Sequence, residues 1–233
     1  MKTLFLWLEG PLQSWGYNSR FDRRETLPFP TLSGVCGILC AALGLGGPQK
    51  DFLKKLTVGK WEAFSYGDAH RQPPQLCDFQ MVGSGYPSNN PWLTLFIPKT
   101  SNGKKPTGVT GSKLTYRYFL QSGAFAVFLT YEEDTFVEKL AEALQQPTWP
   151  LSLGRRSCVP SELIFQGIFG SVKDAKAKAD EIAKEKGRQL LFQVIEGAHP
   201  DSGEVFLLKD VPVSFGIKKI YQSRYVTLNR VQE

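Results

Sequence analysis

Thr31, Ser33, Gly34 and Gly37 stand close together, directly after Pro28-Phe29-Pro30 and at the head of the apolar run Val35-Cys36-Gly37-Ile38-Leu39-Cys40-Ala41-Ala42-Leu43. A hydroxyl ahead of such a run is a helix N-cap signal, and a helix N-terminus carries amides without a partner and the positive end of the dipole. Glycines remove the Cβ atoms that hold a phosphate backbone away. The chemistry expected is anion capture by bare amides at a slender helix tip. Gly34, Gly37 and Ala41 also fall on one helical face, so close helix-on-sheet contact is an equal account of the same small residues.

Cations gather around this signal. The loop ahead of the helix holds Gln13, Ser14, Trp15, Arg20, Arg23 and Arg24; residues 99–117 contain Lys99, Lys104, Lys105, Lys113 and Arg117 and no acid; residues 211–232 contain Lys218, Lys219, Arg224 and Arg230, again with none. Arg155-Arg156 sits between Gly154 and Ser157. The chain has 28 Lys+Arg against 22 Asp+Glu, a net charge of +6 and a pI near 9.1. That balance favours an acidic partner such as nucleic acid. Guanidinium forks match phosphate. Each feature has a plainer reading: edge-strand lysines that block aggregation, exposed loop arginines, Trp15 as an anchor for its loop, and residues 218–225 as a basic and aromatic strand paired within the fold.

Other chemistries find little support. Four cysteines and two histidines contain no Cys-x-x-Cys pair, so neither a metal nor a cofactor is expected and the cysteines read as reduced buried thiols. RNA cleavage through the 2′-hydroxyl needs a general base, a general acid and a cation together. His70, between Ala69 and Arg71, and His199, before Pro200, are the poor candidates for that metal-independent endoribonuclease alternative. The hydrophobic opening stops at Glu9-Gly10-Pro11, too short for a signal core, and no run approaches a membrane span, so a cytoplasmic protein with no membrane contact is expected.

The elements that must position these residues are strands near 3–8, 58–66, 124–131 and 161–170, and helices from the Thr31 or Ser33 cap to about 45 and over 132–145. The order strand, helix, strand, insertion, strand, helix, strand is the split βαβ, ferredoxin-like plan of an α+β protein. Runs at 92–97 and 113–118, joined by 101–111, read as a long hairpin with a basic tip. A lysine-rich helix over 172–186 keeps Ala175, Ala179 and Ile182 on one face, and strands follow near 190–196, 204–208 and 220–228. The division expected is a discontinuous core (1–75 and 119–170), an insertion (76–118) and a β-rich C-terminal extension (171–233).

Gly10-Pro11-Leu12-Gln13-Ser14-Trp15-Gly16 and Pro30-Thr31-Leu32-Ser33-Gly34-Val35-Cys36-Gly37-Ile38-Leu39 resemble the N-terminal signature of the CRISPR-associated protein 5 family. Cys77-Asp78-Phe79-Gln80, Tyr116-Arg117-Tyr118-Phe119-Leu120, Leu153-Gly154-Arg155-Arg156-Ser157-Cys158 and Ser223-Arg224-Tyr225 look like the form of that family found in type I-E Cascade complexes. The resemblance runs in order along the chain. It implies an RNA-recognition-motif-like core with a protruding thumb, and a non-catalytic subunit that holds the 5′ handle of the guide RNA. Such a subunit caps the backbone filament beside the large subunit and meets target DNA only through the complex. The residues it points to for RNA are Gln13, Ser14, Arg20, Arg24, Thr31, Ser33, Gly34, Gly37, Lys99, Lys104, Lys105, Lys113, Arg117, Arg155, Arg156 and Arg224. The resemblance also implies the endoribonuclease alternative, since some relatives in other subtypes cleave precursor RNA.

Overall fold

β1 (Lys2–Glu9) is buried along nearly its whole length, which is why it reads as a continuous apolar run instead of an alternating one. Alternation along the strand sends Leu4, Leu6 and Leu8 to one face and Phe5 and Trp7 to the other, and each set joins a different hydrophobic cluster. The computed structural model describes residues 1–17, 19, 22–68, 73–82, 102 and 113–231. β1 lies within a seven-stranded sheet with β4 (Lys60–Gly67), β7 (Ala124–Tyr131), β8 (Phe165–Phe169), β9 (Gln189–Glu196), β10 (Glu204–Ser214) and β11 (Ile220–Arg230). The order is β10-β11-β9-β4-β7-β1-β8, and every neighbouring pair is antiparallel. The protein is thus an α+β molecule with one large antiparallel sheet and few helices.

On the leucine face lie α1 (Leu32–Ala42), α2 (Lys50–Thr57) and α3 (Asp134–Gln145), which contribute Val35, Leu39, Leu53, Leu56, Val137 and Leu140 to the larger core. On the aromatic face lies α4 (Val172–Glu185). Its Ala175, Ala179 and Ala183 meet Phe5, Trp7, Phe64 and Phe128, so its lysines are carried outward while a seam of methyl groups lies on the rings. A second, four-stranded sheet is built on β6 (Lys113–Gln121), with β5 (Gln75–Val82) along one edge and β2 (Leu12–Gln13) and β3 (Arg23–Arg24) along the other.

Three expectations change. β6 pairs with residues 75–82, where the sequence reading places no strand; the 92–97 run expected beside it lies outside the described residues. α2 occupies 50–57, where the sequence reading has no element, because only Leu53 and Leu56 of this short helix are buried. The strand expected over 161–170 begins at Phe165, after Trp7 N–H has already bonded the Ile164 carbonyl.

Candidate nucleic-acid interface

The tip of α1 is not bare. Thr31 takes the extended N-cap conformation, and its Oγ1 accepts the Gly34 amide at 3.2 Å. Asp210 Oδ2 accepts the Leu32 amide at 2.8 Å. Asp210 is 2% exposed and is gripped by Arg224, whose Nε donates to Oδ1 at 2.8 Å and Nη2 to Oδ2 at 3.0 Å. Arg224 Nη1 also reaches Glu196 Oε1 at 2.8 Å, and its guanidinium carbon sits 4.4 Å from the Trp61 ring centroid. An internal carboxylate therefore fills the position expected for a phosphate. Arg224 and the Thr31 hydroxyl, both expected at RNA, are engaged within the fold, the one in this network and the other in the cap.

The small residues of α1 divide into two kinds. A Cβ on Gly34 would stand 2.8 Å from Trp15 Cε3, so Gly34 is small to admit the fully buried Trp15. A Cβ on Gly37 would meet nothing within 4 Å. Gly37 opens onto a cleft of about 420 Å³ along the flank of the helix, bounded by Ser14, Ile38, Gly154, Arg156 and Phe215. Through Gly16, Ser33, Lys219 and Tyr221 it continues into a second of about 710 Å³ that adds Tyr17, Ser19, Arg24, Leu207, Lys209 and Ser223. Among the described residues no carboxylate lines either part. Arg24, Arg156, Lys209 and Lys219 supply charge, five serines and Tyr17 and Tyr221 the polar and flat surfaces. Burial pushes the Tyr221 hydroxyl pKa up, so it stays a neutral donor.

Other expected residues are placed as follows. Gln13 is fully buried: its Nε2 donates to the Leu8 and Gly123 carbonyls and its Oε1 accepts from Trp15 Nε1. That spends the amide on the turn into β2, so Gln13 supports the loop from within the core. Ser14 is 3% exposed, and its Oγ donates to the Tyr118 carbonyl at 3.2 Å. Arg117 is exposed on β6, and the parallel register of β3 on β6 sets Arg24 abreast of it. Arg155 lies with its guanidinium carbon 4.9 Å from the Phe119 ring centroid and donates from Nη2 to the Arg24 carbonyl at 3.1 Å. Arg20, Lys99, Lys104 and Lys105 lie outside the described residues, as does the side chain of Lys113.

Lys209 escaped sequence reading although β10 carries a signal, since Leu208 and Asp210 point inward and leave Lys209 outward between them. Of the histidines, His70 lies outside the described residues. His199 has Nε2 3.1 Å from the Glu196 carbonyl oxygen, its backbone N–H donates to Thr227 Oγ1, and it borders neither part of the groove. Cys36, Cys40 and Cys158 are buried free thiols; burial pushes Cys40 up to about 11, which keeps it protonated. Among the described residues no group of His, Cys, Asp and Glu is arranged to hold a metal, and no helix is long and apolar enough to cross a membrane.

Residues 3–227 match the family described as CRISPR-associated protein (Cas_Cas5). The chain is 28% identical over 181 residues to the CRISPR system Cascade subunit CasD of Escherichia coli strain K12, an alignment that spans 75% of this chain and 74% of that protein. A chain of a solved CRISPR RNA-guided surveillance complex superimposes with a TM-score of 0.72 at 26% identity, covering 98% of this chain and 89% of that one. A crystal structure of a Cas protein superimposes with a TM-score of 0.61 at 28% identity, covering 98% and 94%.

Proposed function

Because the chain belongs to the Cas5 family of CRISPR-associated proteins, we propose that it is a non-catalytic, CasD-type subunit of a Cascade complex that holds the 5′ handle of the guide RNA in the groove along α1. The observation that carries this reading is the groove itself, free of acids among the described residues, open at Gly37 and edged by Arg24, Arg156, Lys209 and Lys219. Single-stranded RNA is held by cations and donors on its phosphates and by flat side chains under splayed bases. The groove offers both, on the flank of the helix instead of its tip. The similarity to a surveillance-complex chain and to a Cascade subunit supports a place among the backbone and large subunits, acting in the cytoplasm, with target DNA met through the assembly.

The core is read as ferredoxin-like on the order β8-β1-β7-β4, with helices in the connections from β1 to β4 and from β7 to β8. The β5/β6 sheet is then the base of a thumb, and β9, β10 and β11 are the C-terminal extension that continues the main sheet. Titration of the purified chain with handle RNA across a salt series tests the function. Log affinity falls linearly with log salt, and Lys209→Gln and Lys219→Gln each remove about 0.7 from the slope. Binding indifferent to salt and to both substitutions refutes the reading.

A further inference from the structure

A second basic feature adjoins the groove. β3 runs parallel to β6 with Arg24 opposite Arg117, while β5 runs antiparallel on the other side with Asp78 opposite Arg117. Residues opposite one another in a sheet point to the same face, and so does Phe119, two residues beyond Arg117. Arg155 arrives on that face from the 154–156 loop of the core, stacked over the Phe119 ring and tied to the Arg24 carbonyl.

Three guanidinium groups thus converge where the thumb sheet meets the core. Among the described residues none of the three forms an ion pair. Asp78, the acid within electrostatic range of Arg155, accepts instead from Gln80 Nε2 at 2.8 Å. The Nη1 of Arg155 is buried without a hydrogen-bond partner. Burial, together with the charges of Arg117 and Arg24, lowers the Arg155 pKa. Like charges gathered around an unspent donor are costly unless an anion joins them.

We infer that Arg24, Arg117 and Arg155 form a seat for one phosphodiester group of the bound RNA, which ties the thumb sheet to the 154–156 loop. This rests on the RNA-binding reading above and adds to it a single shared phosphate at a fixed place. A planar donor fork suits a phosphate oxygen pair better than a lysine point charge does. Arg24 also borders the groove, so a strand leaving the α1 flank reaches the seat without a break.

The test uses the full chain, a single-stranded handle RNA, and the exposed Arg24 and Arg117, whose removal leaves the Arg155 stack on Phe119 in place. Arg24→Gln and Arg117→Gln each weaken binding about tenfold, and the double variant loses much less than the product, because both hold the same phosphate. Thermal midpoints measured beside the affinities stay within about 2 °C of the parent, which excludes unfolding as the cause. Losses that multiply in the double variant overturn the shared seat, as does full affinity in both single variants while Lys219→Gln weakens binding; the groove reading survives either result. If the unaltered chain binds no RNA, both fall.

Discussion

Asp210 supplies to Leu32 what a bound anion supplies to other helices: its Oδ2 lies 2.8 Å from the first amide of α1. Since Arg224 neutralises the same carboxylate through two bonds, the hairpin β10/β11 is keyed to the helix that forms the groove. The outward Lys209 and Lys219, which belong to that hairpin, are thereby held against Gly37's cleft.

That keying makes a stability prediction. Asp210→Asn keeps an acceptor for Leu32 but leaves Arg224 with its buried partner uncharged, and loss of one member of a buried ion pair costs about 3–5 kcal/mol. Glu196 also bonds Arg224 and moderates the loss, so we expect about 3 kcal/mol, read from urea unfolding with unchanged m-value. A change within about 0.5 kcal/mol would show that the hairpin is not held through this contact.

The two glycines of α1 separate fold from ligand. Gly34→Ala pushes a methyl against Trp15, and overpacking of about 1–3 kcal/mol outweighs the roughly 1 kcal/mol gained by removing a helical glycine. Gly37→Ala meets open space and keeps that gain, raising the melting temperature by about 2–4 °C. Gly37→Leu fills the cleft and weakens handle binding at least tenfold, about 1.4 kcal/mol, without lowering the melting temperature. Binding unaltered by Gly37→Leu would place RNA elsewhere.

The same pair marks how far a sequence reading reaches. Core strands declare themselves by apolar runs such as residues 124–131, and the amphipathic spacing of Phe136, Val137, Leu140 and Leu144 declares α3, because period and burial are local properties. What Gly34 and Gly37 face is not local: both are small residues on one helix, and only tertiary approach tells that one admits Trp15 while the other is open. Asp210 is 178 residues from the amide it satisfies, so no spacing rule warns that the helix tip is occupied. β6 pairs with 75–82 because its neighbours are chosen across a long insertion, where 92–97 is the more β-like run by composition. The arginines at 24, 117 and 155 stand out singly, but their convergence depends on a parallel register between strands that have α1, α2, β4 and β5 between them in the chain.

Glu9 gives the molecule a defined acid sensitivity. Burial alone would raise its pKa, but the Trp7 indole N–H, Lys186 and Arg188 together hold it below the ordinary 4.5. The unfolded chain therefore binds a proton more readily than the folded one. The stabilisation is fully present above about 4.5 and is lost as pH falls through the lower folded value. Glu9→Gln costs about 2 kcal/mol at neutral pH, and its unfolding curve converges with the parent's in acid. A gap that persists at low pH would mean that the charge of Glu9 is not what ties β1 to Lys186 and Arg188.

The alanine seam of α4 bears on where RNA can go. In RNA-recognition motifs bases stack on aromatic residues of the open sheet face, and here that face carries Phe5, Trp7, Phe64 and Phe128. α4 lies over these rings through Ala175, Ala179 and Ala183, and it is pinned by Tyr66 Oη donating to Asp180 at 2.8 Å. Ala179→Leu has no room for its extra carbons and costs about 2 kcal/mol, lifting the helix from the rings. Handle affinity per folded molecule stays unchanged, because the proposed RNA path runs along α1 on the opposite face of the sheet. Affinity that rises in this variant would mean that the uncovered rings take bases, and that α4 competes with RNA for them.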